Sequence, residues 1–145
     1  MPGWISEATT EYLQRMPREM PVSLNELKPD PRHAGRSPEQ ILESEAQRIL
    51  SAIPSNGACF ALDERGALWS TLDLAATLER GLAEAEDLCF IIGSADGLHD
   101  SIKRRAKTLV SLSRMTLPHG LVRVLLAEQL YRASSVIKGH PYHRE

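Results

Sequence analysis

At 145 residues, with 42% hydrophobic and 25% charged residues, the chain has the size and composition of one folded domain, which excludes a disordered protein. Its apolar runs are too short to span a bilayer, and an N-terminus that carries Glu7 and Glu11 is unlike an export signal. The formal net charge of −2 does not indicate a nucleic-acid binder, although local basic patches matter more for that function than the total.

The N-terminal quarter of the chain predicts a helix, a short strand and a loop. Apolar residues at helical spacing predict the helix over residues 4–16, ended by Pro17. A short strand is predicted from three apolar residues, Val22, Leu24 and Leu27. Residues 28–36 contain two prolines and a glycine without any periodicity, so they are predicted to form a loop.

A second helix is predicted to begin at Ser37. Serine is a preferred N-cap, Pro38 suits the first helical position, and Gln40 has the spacing of a capping box. The apolar stripe that follows ends before Pro54 and consists of Ile41, Leu42, Ala46, Ile49, Leu50 and Ile53.

Three short apolar runs in the rest of the chain predict buried strands. They cover residues 58–62, 88–92 and 108–112, and helices are predicted between and after them, one from Ser70 to about residue 83 and one over residues 120–138. Strands that alternate with helices and are apolar on both faces indicate an α/β fold with a parallel sheet covered on both sides. No internal repeat or linker is visible, so residues 1–145 are predicted to form a single domain.

Ligands of an open parallel sheet collect at the carboxyl ends of its strands. Here these ends are Leu62-Asp63, residues 93–97 and residues 113–116. Gly93 and Gly97 alone indicate a tight turn as readily as a ligand site. The G-x-G-x-x-G fingerprint and the lysine-containing phosphate loop are both missing from the sequence, which argues against a dinucleotide-binding Rossmann site and against a nucleotide triphosphatase.

The sequence also contains two cysteines and two groups of basic residues. Cys59 and Cys89 each lie in an apolar run and are interpreted as reduced core thiols of a cytosolic protein. The basic groups are either solvated faces or phosphate contacts. One lies in the loop (Lys28, Arg32, His33 and Arg36) and the other on a predicted short helix (Lys103, Arg104, Arg105 and Lys107).

The C-terminus is the most informative stretch. It reads His-Pro-Tyr-His-Arg-Glu over residues 140–145 and follows the turn Leu-Ser-Arg-Met-Thr-Leu-Pro over residues 112–118. Together with Met-Pro-Gly-Trp at residues 1–4 and Thr-Glu-Tyr-Leu at residues 10–13, these segments closely resemble the RlmH family of SPOUT methyltransferases. The resemblance covers nearly the whole chain.

The resemblance implies a fold and a cofactor. Members of the SPOUT superfamily bind S-adenosyl-L-methionine in a trefoil knot formed by the C-terminal third of the chain, and such threading is rare. Carried onto this sequence, the cofactor contacts are Leu62, Gly93, Leu112, Ser113, Arg114, Met115, Thr116 and Leu117, largely through backbone groups. The family also has a strand before the segment that matches residues 1–4. We expect either a start codon assigned too late or a sheet that lacks this strand.

The resemblance also assigns the tail to catalysis. His140 and His143 are candidates for a base or a hydrogen-bonding imidazole, Tyr142 for stacking on the target base, and Arg144 for holding a phosphate or a carbonyl. The alternatives are surface decoration for each histidine and packing for Tyr142. A zinc site at the two histidines is disfavoured, because the tail offers neither a cysteine nor a third ligand.

Finally, the resemblance implies partners. Family members are homodimers that act on a pseudouridine of large-subunit ribosomal RNA on the ribosome, and the C-terminal helix, apolar on two faces, suits a shared interface. Arg123, Glu128 and Arg132 would then be interface groups or lie behind the site, with surface ion pairs as the alternative. The hypothesis is a cytoplasmic, metal-independent methyltransferase acting on N3 of that pseudouridine. Its rivals are a SPOUT enzyme with another RNA target and a non-catalytic relative that binds RNA or the ribosome.

Overall fold

Three parallel strands and the helices that cover them make up the computed structural model, which describes residues 2–27, 35–94 and 97–144, without the side chains of residues 143 and 144. The elements in chain order are α1 (Gly3–Leu13), α2 (Pro38–Ala52), β1 (Ala58–Leu68), α3 (Thr71–Ala83), β2 (Leu88–Ile91), α4 (Asp100–Arg105), β3 (Thr108–Ser111), α5 (His119–Lys138) and a terminal 3-10 helix (Pro141–Arg144). None of the helices in this described part is long and apolar enough to cross a membrane.

Helices α2 and α3 begin at their predicted serine caps. The Ser37 hydroxyl accepts a hydrogen bond from the Gln40 N–H at 3.1 Å, while the Gln40 side chain accepts the Ser37 N–H at 2.9 Å. Ser70 and Asp73 make the same reciprocal pair at 3.1 and 2.8 Å. Because these bonds satisfy N–H groups that the first turn leaves without partners, sequence alone locates both helix starts.

The sheet has the order β2–β1–β3, with every pairing parallel. Side chains alternate between its two faces, as the two-residue period of a strand requires. One face, with Cys59, Ala61 and Ile91, packs against Ala46 of α2 and Ile102 of α4. The other face includes Leu62 and Phe90, which pack against α3 and α5. The predicted parallel sheet covered on both sides is therefore confirmed.

Strand β1 is longer than predicted and is interrupted. Leu62 is paired with Val110 of β3, and the next paired residue, Ala67, faces the same Val110. Residues 63–66 therefore leave the ladder, and we call them the β1 excursion. At its end Gly66 passes so close to β3 that a Cβ there would lie 2.5 Å from the carbonyl carbon and oxygen of Leu109. The prediction that this strand ends at Leu62 was wrong, because the chain returns to the same edge after a detour that only a glycine permits.

The strand predicted from Val22, Leu24 and Leu27 is also wrong. Residues 21–27 carry no strand, and Leu24 and Leu27 are exposed. Instead, residues 17–27 are held along α5 by Glu19, which pairs with Lys138, and by Glu26, whose carboxylate lies 3.1 Å from Arg123. Alternating apolar residues form a strand only where a neighbouring edge supplies hydrogen-bond partners. The loop predicted over residues 28–36 lies mostly outside the described residues.

The two cysteines are neighbours across the sheet. Cys59 of β1 is the register partner of Cys89 of β2, and both are free thiols. Burial, with a smaller contribution from Cys59, raises the pKa of Cys89 to about 11. The Cys89 thiol is therefore protonated at neutral pH, as expected for a core cysteine.

Helix α5 ends at a glycine that reverses the chain. Gly139 has a φ of +71°, in the left-handed region, and the following His140 N–H donates to the Ser135 carbonyl at 2.8 Å. This arrangement terminates the helix and turns the tail back along it. The position of the tail thus depends on a backbone conformation that costs little only for glycine.

Replacing Gly139 by alanine should destabilise the fold by about 1–2 kcal/mol, the cost of a left-handed conformation for a residue with a Cβ. Urea unfolding followed by circular dichroism measures the change. Gly3→Ala is the matched control, because Gly3 has an ordinary φ and its added Cβ meets nothing within 4 Å. Equal stability of the two variants would contradict the role given to Gly139.

Candidate functional site

A cleft of about 660 Å³ opens at the carboxyl ends of the three strands. It is bounded by Leu62 and the β1 excursion and by the residues that follow β2 and β3, at the edge where open parallel sheets bind ligands. Seven of the eight residues predicted to contact a cofactor line it: Leu62, Gly93, Leu112, Ser113, Met115, Thr116 and Leu117. The eighth, Arg114, is exposed and is not part of the lining. Proximity alone does not test their role in binding, which stays a prediction.

Gly93 forms the floor of the cleft after β2. A Cβ at this position would lie 2.6 Å from the Gly97 carbonyl oxygen and 2.9 Å from Leu98 Cγ. The Gly97 N–H donates to the Ser94 carbonyl at 2.9 Å, which fixes Gly97 relative to Ser94; residues 95–96 are outside the described residues. Any larger residue at position 93 must displace Gly97 or Leu98, so the glycine fixes the shape of the cleft.

The segment after β3 forms one wall of the cleft, and hydrogen bonds of Ser111 and Ser113 hold it in place. The Ser111 hydroxyl donates to the Ser113 carbonyl at 2.7 Å, and the Ser113 hydroxyl accepts the Met115 N–H at 2.9 Å. Such side chain-to-backbone bonds stabilise a turn without a regular element. The wall therefore presents backbone groups and uncharged side chains in a fixed arrangement.

Charged side chains line the cleft at the β1 excursion and at α4. Asp63 accepts the Arg65 N–H at 2.8 Å and lies 3.3 Å from the Lys103 ammonium group. The Arg65 N–H, and secondly Lys103, hold the pKa of Asp63 below its usual range. Asp63 is therefore ionised at neutral pH, and the cleft contains a pair of opposite charges.

The predicted basic cluster on the short helix is divided by the fold. Lys103 lines the cleft, whereas the Arg105 guanidinium lies 3.5 Å from the Gly57 carbonyl, at the other end of β1. Lys107 lies outside α4, and its N–H donates to the Cys59 carbonyl at 2.7 Å. The placement of all four residues on one helix was wrong, because α4 ends at Arg105 to let β3 begin.

Tyr142 of the tail is bound to the C-terminal half of α5. Its hydroxyl donates to Glu128 Oε2 at 2.9 Å, and its ring packs edge-on against Tyr131, with centroids 4.6 Å apart. Arg132 pairs with the same Glu128 oxygen at 2.7 Å and lies 4.8 Å from the centre of the Tyr142 ring. Burial and the Glu128 carboxylate raise the pKa of Tyr142 to about 12, so the phenol is a hydrogen-bond donor and not a base at neutral pH.

His140 is exposed, and its Nδ1 accepts the N–H of Tyr142 at 3.2 Å. A neutral imidazole that accepts at Nδ1 carries its proton on Nε2. In this arrangement Nε2 of His140 is a hydrogen-bond donor, and Nδ1 is the ring nitrogen that carries the lone pair. The side chains of His143 and Arg144 lie outside the described residues, so their predicted roles are not addressed by the structure.

The cleft and the tail contact different parts of α5. His119 and Val122, in the first turn of the helix, line the cleft, whereas Tyr142 packs beside Glu128 and Tyr131 in the middle of the helix. At 1.5 Å per residue, the six residues from Val122 to Glu128 span about 9 Å of the helix axis. His140 and Tyr142 are not among the residues that line the cleft of their own chain.

Several cleft residues were not predicted from the sequence. Asp63 was noted only as following a strand, and Lys103 only as part of a basic cluster. The strand-ending position was a usable signal for Asp63. Lys103 had none, because its side chain reaches the cleft from an adjacent helix. Among the described residues, no three His, Cys, Asp or Glu side chains lie together in a way that would hold a metal ion.

Comparison with known proteins gives a consistent result over nearly the whole chain. The family model described as "Predicted SPOUT methyltransferase" matches residues 1–143. Proteins of Burkholderia lata and Burkholderia ambifaria are each 51% identical to this chain over 144 residues. Each alignment covers 99% of this chain and 92% of the relative, and both relatives are named ribosomal RNA large subunit methyltransferase H. A protein of Burkholderia multivorans with the same name matches equally well.

Removing the Glu128 carboxylate should lower the pKa of Tyr142 from about 12 towards the ordinary tyrosine value of about 10. Since the folded state raises this pKa, the stability it contributes is present below about pH 10 and is lost as the pH rises to about 12. The phenolate absorbance of Glu128→Gln, titrated with alkali, measures the shift, and Tyr142→Phe identifies the signal.

The exposed Glu7→Gln is the control for the loss of one negative charge. If Glu7→Gln and Glu128→Gln gave the same titration curve as the unchanged protein, the hydrogen bond to Glu128 would not exist in solution.

Proposed function

The chain belongs to the SPOUT methyltransferase family, and we propose that it transfers a methyl group from S-adenosyl-L-methionine to N3 of a pseudouridine in 23S ribosomal RNA. The observation that carries the proposal is the cleft at the carboxyl edge of the sheet, lined by seven of the eight expected cofactor residues. The half-identical relatives named as large-subunit ribosomal RNA methyltransferases support the substrate class. A ribosomal substrate implies that the protein acts in the cytoplasm on the ribosome. Docking on the surface of the assembled ribosome would then replace the basic RNA-binding surface that a net charge of −2 does not indicate.

The cleft fits a molecule of the cofactor's size and chemistry. Its volume of about 660 Å³ lies within the ordinary range for sites that bind drug-sized ligands. The wall after β3 offers backbone groups that can hydrogen-bond an adenine edge, and Leu112 and Leu117 offer apolar surface for its ring. Gly93 lets the floor approach a ligand without a side chain in between. When bound, the cofactor supplies an electrophilic methyl group on a sulfonium that leaves as a neutral thioether.

The residues of the chain have a limited chemical task. N3 of the pseudouridine must lose its proton as the N–CH3 bond forms and the S–CH3 bond breaks, so a proton acceptor or a group that stabilises the uracil anion is needed. Tyr142 is held neutral by Glu128 and can donate to a carbonyl oxygen on which negative charge develops. His140 can also donate to this carbonyl oxygen from Nε2. His143 and Arg144 keep the roles that the resemblance implies, a second imidazole for His143 and a group that holds a phosphate or a carbonyl for Arg144.

We further propose that the working enzyme is a homodimer with sites shared between the two chains. Neither His140 nor Tyr142 lines the cleft of its own chain, and Tyr142 is held at the middle of α5, about 9 Å along the helix from Val122. A second copy packed on α5 can place its tail over that cleft. The outer face of α1 and α5 supports this arrangement, because Trp4 is 53% exposed and Leu121 and Leu125 are each 38% exposed. An apolar face of this kind is typical of a permanent interface.

Truncation after Gly139 should abolish methylation while S-adenosyl-L-methionine binding and the fold are retained, because none of the described residues that line the cleft follows Gly139. The assay uses ribosomes from cells that lack the modification and measures N3-methylpseudouridine in digested ribosomal RNA by mass spectrometry. Calorimetric titration of the cofactor into the same truncated protein is the control for the cleft. An active truncated protein would disprove the assignment of the tail. An intact protein that binds the cofactor and leaves the RNA unmethylated would favour another RNA target.

Mixed dimers should recover activity that neither parent has. One parent is the chain truncated after Gly139. The other is Gly93→Val, whose side chain must displace Gly97 or Leu98 and thereby weaken cofactor binding. A dimer of one copy of each has one intact cleft faced by one intact tail, so about half of the unchanged activity per hybrid is expected.

The hybrids are isolated with two different affinity tags, and each parent alone is the control. Well-folded hybrids without activity would show that each site is built within one chain.

A further inference from the structure

The ionisable side chains of the cleft are concentrated on one side. Among the described lining residues, the acidic and strongly basic ones are Asp63, Glu64 and Arg65 of the β1 excursion and Lys103 of α4. The wall after β3 contributes uncharged side chains. Glu64 and Arg65 are exposed at the rim, whereas the side chains of Asp63 and Lys103 are only 13% and 30% exposed. Two opposite charges are therefore held largely away from water inside a cleft that is otherwise uncharged.

The contact between these two charges is loose. The Lys103 ammonium lies 3.3 Å from Asp63 Oδ2, whereas charge-assisted N–H···O bonds are usually about 2.7–2.9 Å long. Asp63 uses its other oxygen, Oδ1, to accept the Arg65 N–H. This leaves lone pairs on the carboxylate and N–H groups on the ammonium without protein partners among the described residues, in a place where desolvation makes such groups costly.

We propose that Asp63 and Lys103 form the receptor for the amino-acid end of the cofactor. The Asp63 carboxylate accepts hydrogen bonds from the α-ammonium group of the methionyl moiety, and Lys103 donates to its α-carboxylate. This inference rests on the proposed function, because it takes the identity of the cofactor from it. Both residues are then specificity-determining: they select a ligand that carries an amino-acid zwitterion and not only an adenosine group.

Charge complementarity is the reason for choosing this end of the cofactor. A ribose offers hydroxyl groups that would engage Asp63 but would leave the Lys103 ammonium without an anion. A zwitterion presents a cation and an anion on one carbon atom, so it can satisfy both members of the pair at once. It also adds no net charge to the partly desolvated cleft, which keeps the cost of burial low. The adenine and ribose are then left to the uncharged wall after β3.

The test compares two natural product analogues that differ in this end alone. S-adenosylhomocysteine carries the amino-acid zwitterion, and 5′-methylthioadenosine lacks it. Their dissociation constants are measured by calorimetry for the unchanged protein and for Lys103→Met, which keeps the length of the side chain without its charge. The expected result is a loss of about tenfold to a hundredfold in affinity for S-adenosylhomocysteine, with unchanged affinity for 5′-methylthioadenosine.

Further variants separate recognition from support of the fold. Asp63→Asn retains the acceptor for the Arg65 N–H and should lose affinity for S-adenosylhomocysteine selectively. Lys103→Arg keeps the cation and should retain most of the affinity. Arg104→Met, an exposed basic residue of α4 that does not line the cleft, is the matched control and should bind both ligands normally. Binding of 5′-methylthioadenosine shows in each variant that the cleft is folded.

The results that would overturn this inference differ from the results that would overturn the proposed function. If Lys103→Met and Asp63→Asn weakened both ligands by the same factor, or neither ligand, the pair would only support the β1 excursion and the inference would be wrong. The same follows if the unchanged protein bound both ligands equally well. If the unchanged, folded protein bound neither ligand, the proposed function itself would fail, and this inference with it.

Discussion

The central position of β1 is the constraint on which the site depends. Because this strand pairs with β2 on one side and β3 on the other, it brings three carboxyl ends to one edge of the sheet. The chain then leaves the ladder at Asp63 and returns at Ala67, which opens the space that becomes the cleft. Gly66 makes the return possible, since its backbone passes against Leu109 with no room for a side chain. A bulkier residue there would separate β1 from β3 and would change the cleft as well as the sheet.

Helix α5 connects the two groups of predicted site residues. Its first turn lines the cleft with His119 and Val122, and Glu128 and Arg132 near its middle hold Tyr142. Gly139 turns the tail back along the helix, and neither His140 nor Tyr142 is part of the cleft lining. In the proposed homodimer, the Glu128–Arg132–Tyr142 cluster would present the tail to the cleft of the neighbouring copy.

The electrostatics of the two groups differ in a way that suits methyl transfer. Near the cleft, Asp63 has a lowered pKa and is paired with Lys103, so the local charge is balanced. At the tail, the pKa of Tyr142 is raised to about 12, so the phenol stays a donor. A neutral donor stabilises charge that develops on a uracil carbonyl, and a balanced cleft accepts a cofactor without a large electrostatic penalty. Neither property can be deduced from the net charge of the chain.

Sequence alone determined the local features of this protein. Ser37 and Ser70 located two helix starts, the apolar runs located three strands, and the order of these elements predicted a parallel sheet, because caps and periodicity act over a few neighbouring residues. The resemblance to the SPOUT methyltransferases predicted the fold and the site residues, and the trefoil knot stays a prediction. The tertiary structure alone decided that residues 22–27 are not a strand, that β1 continues past Leu62, that Lys103 meets Asp63, and that Tyr142 packs on α5 outside the cleft of its own chain. These features depend on contacts between residues distant in sequence, and local pattern carries no information about which distant partner a side chain will find.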